Sequence, residues 1–263
     1  MCLIALSWQP DANKSLILAA NRDEFYARPA LPLHHWADAH ILAGKDVQAG
    51  GTWLGVASIQ VQGKSMARLA ALTNYRSVGD HKADAPSRGH ITTAFLQGEM
   101  SAAAYLRTLS SSSGLYNPFN LILFDGQELM GFESRHTRAF AIPPGVTAVS
   151  NADFNSPWPK LTRLRQDVEQ TINKAGDVDH LQDELFQALA NDAIAPDAEL
   201  PQTGIALPRE RALSAAFIRT ADYGTRASSV VQIGEQQASF TERSFAASGL
   251  TGSVTQHLTL GTL

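Results

Sequence analysis

Residues 1–25 read MCLIALSWQPDANKSLILAANRDEF. The apolar run Cys2 to Trp8 is followed by Gln9 to Lys14, which carries Pro10, Asp11 and Asn13, and then by a second apolar run, Ser15 to Ala20. Short apolar runs separated by turn residues predict a strand, a turn and a second strand. With Trp8 facing Ser15, paired residues sum to 23 and Cys2 lies opposite Asn21; a slip of one residue brings Ala20 or Arg22 there instead. In any of these registers the polar run Asn21-Arg22-Asp23-Glu24 ends beside the first cysteine.

Further along, Gly50-Gly51-Thr52-Trp53-Leu54-Gly55 predicts a tight turn entering a strand, because paired glycines accept backbone conformations that other residues resist. Arg68 to Tyr75 predicts a strand ending in Thr73-Asn74-Tyr75. Helical spacing runs from about Ser87 to Ser110, broken near Gly98, with Ser101 as a cap for the second piece. Phe119 to Ala141 returns to strands that turn at Asp125-Gly126, and Val146 to Ser150 leads into Asn151. Ser156 is placed to cap, and Pro157 to open, a polar helix reaching Lys174; Asp179 to Ala190 predicts another. Asn191 to Pro208 reads as a surface loop and a candidate lid, and Tyr223 to Ile233 with Gln237 to Arg243 as a strand pair around Gly234. Strand clusters separated by paired helices, without repeat or linker, predict a single α+β domain over residues 1–263.

The chain has 263 residues, 44% of them hydrophobic, with 21 basic and 25 acidic side chains and a net charge of −4. That length supports a substantial core, and that charge supplies no broad basic surface for nucleic acid or anionic membrane. No apolar run approaches a bilayer span and no basic segment precedes an apolar one at the start, so the expectation is a cytoplasmic protein without an integral membrane segment. One cysteine, Cys2, excludes an internal disulfide and a multi-cysteine zinc site. The nucleophile elbow, the P-loop and the dinucleotide fingerprint are missing, and the histidines form no metal-binding spacing, so no metal is expected. Non-covalent haem needs only an apolar cleft and an axial ligand; Trp36, Trp53, Phe154 and Trp158 are the aromatic candidates to line one.

Removal of Met1 is expected before a residue as small as cysteine, which would put a thiol and a free α-amine on Cys2. Such an amine titrates at about 7.7–8.0, close enough to neutrality to accept the thiol proton. A guanidinium from Arg22 near the sulfur favours the thiolate, and the Asp23 carboxylate is suited to orient the amine. Acyl transfer also needs donors where charge develops on the carbonyl oxygen, and the amides of Asn74 and Asn151, at strand ends, are candidates.

Met1-Cys2, the Asn21 to Glu24 tetrad, Gly50 to Gly55, Leu72-Thr73-Asn74-Tyr75-Arg76, Ser150-Asn151-Ala152, Trp158-Pro159-Lys160 and Glu242-Arg243 together resemble the NRDE, or transport and Golgi organisation, family. The resemblance runs from residue 1 to about 245. It implies kinship with N-terminal nucleophile hydrolases such as penicillin V acylases and bile salt hydrolases, and with it a four-layer αββα sandwich of antiparallel sheets between helices. By the same resemblance the functional residues fall on Cys2, Arg22, Asp23, Asn74, Asn151 and Arg226. One departure stands out: the acylases space arginine and aspartate as R-x-x-D, whereas Arg22 and Asp23 are adjacent and so face opposite sides unless the strand ends or bulges there. The implied activity is hydrolysis of carbon–nitrogen amide bonds in a small molecule, requiring no cofactor. The alternative, from family links to lipid metabolism and haem trafficking, is a non-catalytic carrier of haem or an acyl-lipid in the same cleft. An interaction scaffold for trafficking machinery ranks behind both.

Overall fold

The computed structural model describes residues 2–37, 40–61, 63–76, 79, 81–174 and 178–262. The expected loss of Met1 lies outside the described residues. Two antiparallel sheets organise the chain. The smaller is built from β1 (Cys2–Trp8), β2 (Leu16–Phe25), β10 (Gly145–Val149), β11 (Tyr223–Ile233), β12 (Gln237–Ala246) and β13 (Gly249–Thr259), in the order β10-β1-β2-β11-β12-β13. The larger runs β3 (Ala30–His35), β4 (Ile41–Asp46), β5 (Leu54–Val61), β6 (Lys64–Asn74), β7 (Phe119–Phe124), β8 (Leu129–Glu133) and β9 (Arg138–Ala141) side by side. The short β14 (Gly261–Thr262) also pairs with β6.

Alternation along the strands explains the packing, because successive side chains leave opposite faces of a sheet. From β1 and β2, Ile4, Leu6, Trp8, Leu16, Leu18 and Ala20 meet Leu54, Val56, Leu69, Ala71, Ile122 and Phe124 of the larger sheet in a core between the two. The alternate residues Leu3, Ala5, Ile17 and Ala19 face outward and are covered by Leu161, Leu164, Val168, Leu181 and Leu185. These belong to helices α3 (Pro159–Lys174) and α4 (Val178–Leu189). On the far side of the larger sheet, Leu72, Leu121, Leu123 and Phe132 pack against Ile91, Phe95, Leu96, Leu106 and Leu109. Those come from α1 (Gly89–Gln97) and α2 (Ala102–Ser112), the latter capped by Ser101 Oγ, which accepts from Ala104 N at 3.2 Å. No helix among the described residues is long and apolar enough to cross a membrane.

Three expectations need correction. The β1–β2 pairs sum to 24, so Cys2 stands opposite Arg22 and not Asn21. This register gathers Leu16 and Leu18 with Ile4, Leu6 and Trp8 on the face that meets the second sheet. Helix α3 starts at Pro159, two residues after the expected opening, because Ser156 Oγ turns back to donate to Asp153 O at 2.7 Å and caps nothing. The stretch from 191 is not a lid. Phe217 N donates to Asn191 O at 2.8 Å and Ala195 N to Ser214 Oγ at 2.9 Å, which tie it beside the short α5 (Leu207–Ala212), away from the cleft described below.

The cleft wall depends on a close backbone approach. Gly50, at φ 83°, closes the turn after β4 by donating to Asp46 O at 2.7 Å, and Gly51 lies against the first residue of α1. A Cβ at Gly51 would stand 2.4 Å from Gly89 C and 2.6 Å from Gly89 O. Gly51→Ala is therefore expected to destabilise the protein by about 1–3 kcal/mol, through forced separation of backbones. Chemical denaturation of the variant checks this, and a midpoint equal to the parent's would contradict it.

Candidate active site

Where β1 and β2 pass the end of the inter-sheet core, apolar residues give way to a polar cleft of about 710 Å³. Its lining includes Cys2, Arg22, Glu24, Arg28, Asp46, Trp53, Asn74, Arg88, Arg226 and Glu242. Alternation continues through the tetrad without a break in β2. Arg22 follows Leu16, Leu18 and Ala20 onto the cleft side, together with Cys2. Asn21 follows Ile17 and Ala19 toward the helices, where its Nδ2 donates to Leu189 O and Ala216 O, both at 2.8 Å, and pins α4 to the sheet. Asp23 follows Asn21: its Oδ1 accepts from Thr225 Oγ1 at 2.8 Å, and Tyr223 Oη donates to its main-chain oxygen at 3.0 Å. The adjacency of Arg22 and Asp23 thus has the consequence that strand geometry requires. Both border the cleft, but Arg22 shares the parity of Cys2, and Asp23, of the other parity, has its carboxyl bonded by Thr225.

Cys2 is 5% exposed, and burial pushes its thiol up to about 11. Nearby Asp23 and Glu24 act in the same direction and Arg22 against it. Arg22 is lightly held. Its Nη2 reaches Asp46 Oδ2 at 3.4 Å, while Nε and Nη1 have no partner among the described residues. Asp46 is the anchor of that wall: Arg28 Nε donates to Oδ2 at 2.7 Å and Ala49 N to Oδ1 at 2.9 Å. Burial disfavours its charge, but these donors and Arg22 outweigh burial and hold the carboxyl below the usual carboxylate range. Across the cleft, Glu242 is buried and its carboxyl is raised by that burial, although Leu33 N donates to Oε1 at 2.9 Å.

The two asparagines separate. Asn74 lines the cleft, and its carboxamide has no hydrogen-bond partner among the described residues. Asn151 is fully buried behind it: Nδ2 donates to Asn74 O at 2.8 Å, and Oδ1 accepts from Ser150 Oγ, which also reaches Cys2 O at 3.1 Å. It braces the strand ends that carry Cys2 and Asn74. Arg226 occupies a β-bulge in β11 and spends its guanidinium on main-chain oxygens, Phe25, Tyr26 and Arg28 through Nη1 and Phe245 through Nε, all within 3.0 Å. It staples the chain leaving β2 at the rim of the cleft. Of the four aromatics offered for an apolar cavity, Trp53 lines the cleft. Trp36 stacks near His34, Phe154 packs on Phe140, and Trp158 lies under the Arg76 guanidinium.

Sequence reading missed Asp46, Arg88 and Lys160. Asp46 had a signal in the glycine pair that follows it, and Lys160 in the Trp158-Pro159-Lys160 run; Arg88 had none. Away from the cleft, Glu133, His136 and Asp153 bring ligand-type atoms within 4.8 Å of one another. Both Glu133 oxygens are engaged there, Oε2 by Arg138 and Oε1 by Phe154 N at 2.9 Å, so a cation would have to displace a guanidinium.

Comparison with known proteins settles the kinship. The family model described as Transport and Golgi organisation 2 matches residues 1–247. The chain belongs to that family. It is 35% identical over 268 residues to the Bos taurus Transport and Golgi organization protein 2 homolog, covering 94% of each chain. It is 33% identical to the Homo sapiens homolog over 264 residues and 93% of each chain. The Drosophila melanogaster protein is 30% identical over 251 residues, 86% of this chain and 83% of that one. The Transport and Golgi organisation 2 match spans β1 to β12 and contains the cleft lining except Thr251, Gly252 and Val254 of β13.

With one cysteine in the chain, alkylation reads Cys2 alone. In protein that retains residue 1, the iodoacetamide rate is expected to climb about tenfold per pH unit from pH 7 and to level near pH 11. A plateau at pH 8 would refute a thiol held protonated by burial.

Proposed function

We propose that this member of the family is an N-terminal cysteine amidohydrolase, acting on carbon–nitrogen amide bonds of a small molecule once residue 1 is removed. The observation that carries the reading is the shared cleft, in which Cys2 faces the lightly held Arg22 while Asn74, its carboxamide unengaged among the described residues, lines the same space. The two antiparallel sheets packed face to face, with helices on both outer faces, support assignment to the αββα sandwich of N-terminal nucleophile hydrolases.

In this mechanism the Cys2 sulfur attacks the amide carbon and its proton passes to the freed α-amine of the same residue. Asn74 donates to the oxyanion and Arg22 favours the thiolate. The carbon–nitrogen bond then breaks as the α-ammonium returns the proton to the leaving amine. Water, deprotonated by the amine, hydrolyses the thioester and regenerates the thiol. Asp23 orients the amine, while Asn151 and Arg226 hold strand ends and the rim in place. No cofactor is consumed.

A second reading, a carrier that holds haem or an acyl-lipid without turning it over, draws support from the thiol pushed up to about 11 and from a carboxyl on the opposite face of β2. Intact mass after incubation with a panel of N-acyl amides separates the two. The hydrolase reading expects a chain lacking Met1 and an acyl adduct on Cys2, with turnover reduced at least about 10³-fold in Cys2→Ala. Haem titration that yields a one-to-one Soret shift unaffected by Cys2→Ala, with no adduct and no turnover, would replace it with the carrier.

A further inference from the structure

The two sheets end in edge strands β3, β9, β10 and β13, and the first three are blunted. β3 carries the exposed Pro32 and a register shift between Leu31 and His34. β9 has 4 residues and begins with the exposed Arg138, and β10 has 5 and follows Pro143-Pro144. Proline, charge and short length are the usual protections of a sheet edge against pairing with another strand. β13 has none of them. It runs for 11 residues, GLTGSVTQHLT, without proline, lysine, arginine, aspartate or glutamate.

Its outer side is open. An edge strand turns a row of N–H and C=O groups away from its neighbour. Among the described residues β12 is the strand bonded to β13, and no group of another element bonds to the main chain of residues 249–258. The chain that follows does not fold back over this edge: Leu260 N donates to Gln236 O at 2.8 Å, and β14 pairs with β6 of the larger sheet. A bulge opposite Ser244 and Phe245 interrupts the beginning of β13, which leaves Ser253 to Thr259 as its regular part.

That part is self-complementary. Val254, Gln256 and Leu258 are half-buried, with Val254 and Leu258 against the inter-sheet core, while Ser253, Thr255, His257 and Thr259 are exposed. With two copies antiparallel about a two-fold axis at Gln256, Val254 of each stands opposite Leu258 of the other, Thr255 opposite His257 and Ser253 opposite Thr259. Apolar pairs then continue the core, and hydroxyls meet on the outer face. An axis at Thr255 would instead set Val254 against Gln256 and lose the apolar match. The pairing opposes no like charges, although each chain carries a net charge of −4.

We propose that β13 is a dimerisation edge: a second copy of this chain adds its own β13 in antiparallel pairing centred on Gln256, joining the two smaller sheets into one. Thr251, Gly252 and Val254 also line the cleft, so the second copy lies along its rim. The inference does not depend on the amidohydrolase reading.

Sedimentation velocity of the full chain over a concentration series tests it. At micromolar concentration the parent should sediment with twice the 28.3 kDa mass of one chain. Gln256→Lys and Gln256→Glu each set like charges across the axis and should weaken the dimer by about 100-fold, whereas an equimolar mixture of the two should recover it. A parent that stays monomeric overturns the proposal and leaves the edge to an extended segment of another protein. A dimer that Gln256→Lys leaves intact, or a mixture that stays monomeric, overturns it as well. If the charged variants do not fold, Gln256→Cys in a Cys2→Ala background decides. Residues opposed in an antiparallel pair have Cα atoms about 4.5–5.5 Å apart, within the reach of a disulfide, so oxidation should link two chains covalently, and its failure to do so overturns the pairing.

Discussion

The even register between β1 and β2 is the constraint on which the site depends. By setting Cys2 opposite Arg22, it sends residues of one parity to the inter-sheet core and its polar extension, and residues of the other parity to the helices. The tetrad obeys the same rule. Arg22, Asp23 and Glu24 all border the cleft, but the Asp23 carboxyl accepts from Thr225, and Asn21 fastens α4. A slip of one residue would exchange these assignments and bury a guanidinium beneath α4.

Burial then decides what each charged group can do. Asp46 is ionised because three donors converge on it, and it steadies Arg28 and Arg22 along one wall. Arg226 is satisfied by main-chain oxygens and acts as a staple. Cys2, Glu242 and Lys160 are each driven toward their neutral forms by loss of water. The charges of groups buried in this way depend on their neighbours more than on solvent.

Much of the architecture was legible along the chain. The paired helices around Gly98, the Ser101 cap, the Asp125-Gly126 turn and the strand pair around Gly234 all follow from local chemistry that the fold leaves intact. The edge strands β3 and β13 were not legible, because half-exposed strands with mixed polarity carry no continuous apolar run. The grouping of Cys2, Arg22 and Asn74 could be read from strand ends. The retreat of Asn151 behind Asn74 could not, since it depends on a hydrogen bond to a strand from another part of the chain.

Local sequence by itself determined most of the secondary elements, the presence of a single thiol, and the opposite facing of Arg22 and Asp23, because periodicity and adjacency are properties of a strand before it packs. Tertiary structure alone decided which residue stands opposite Cys2, which asparagine is buried and which lines the cleft, and that Lys160 is buried. Those outcomes depend on register, desolvation and contacts between residues more than a hundred positions apart, and none of these is written in any one segment.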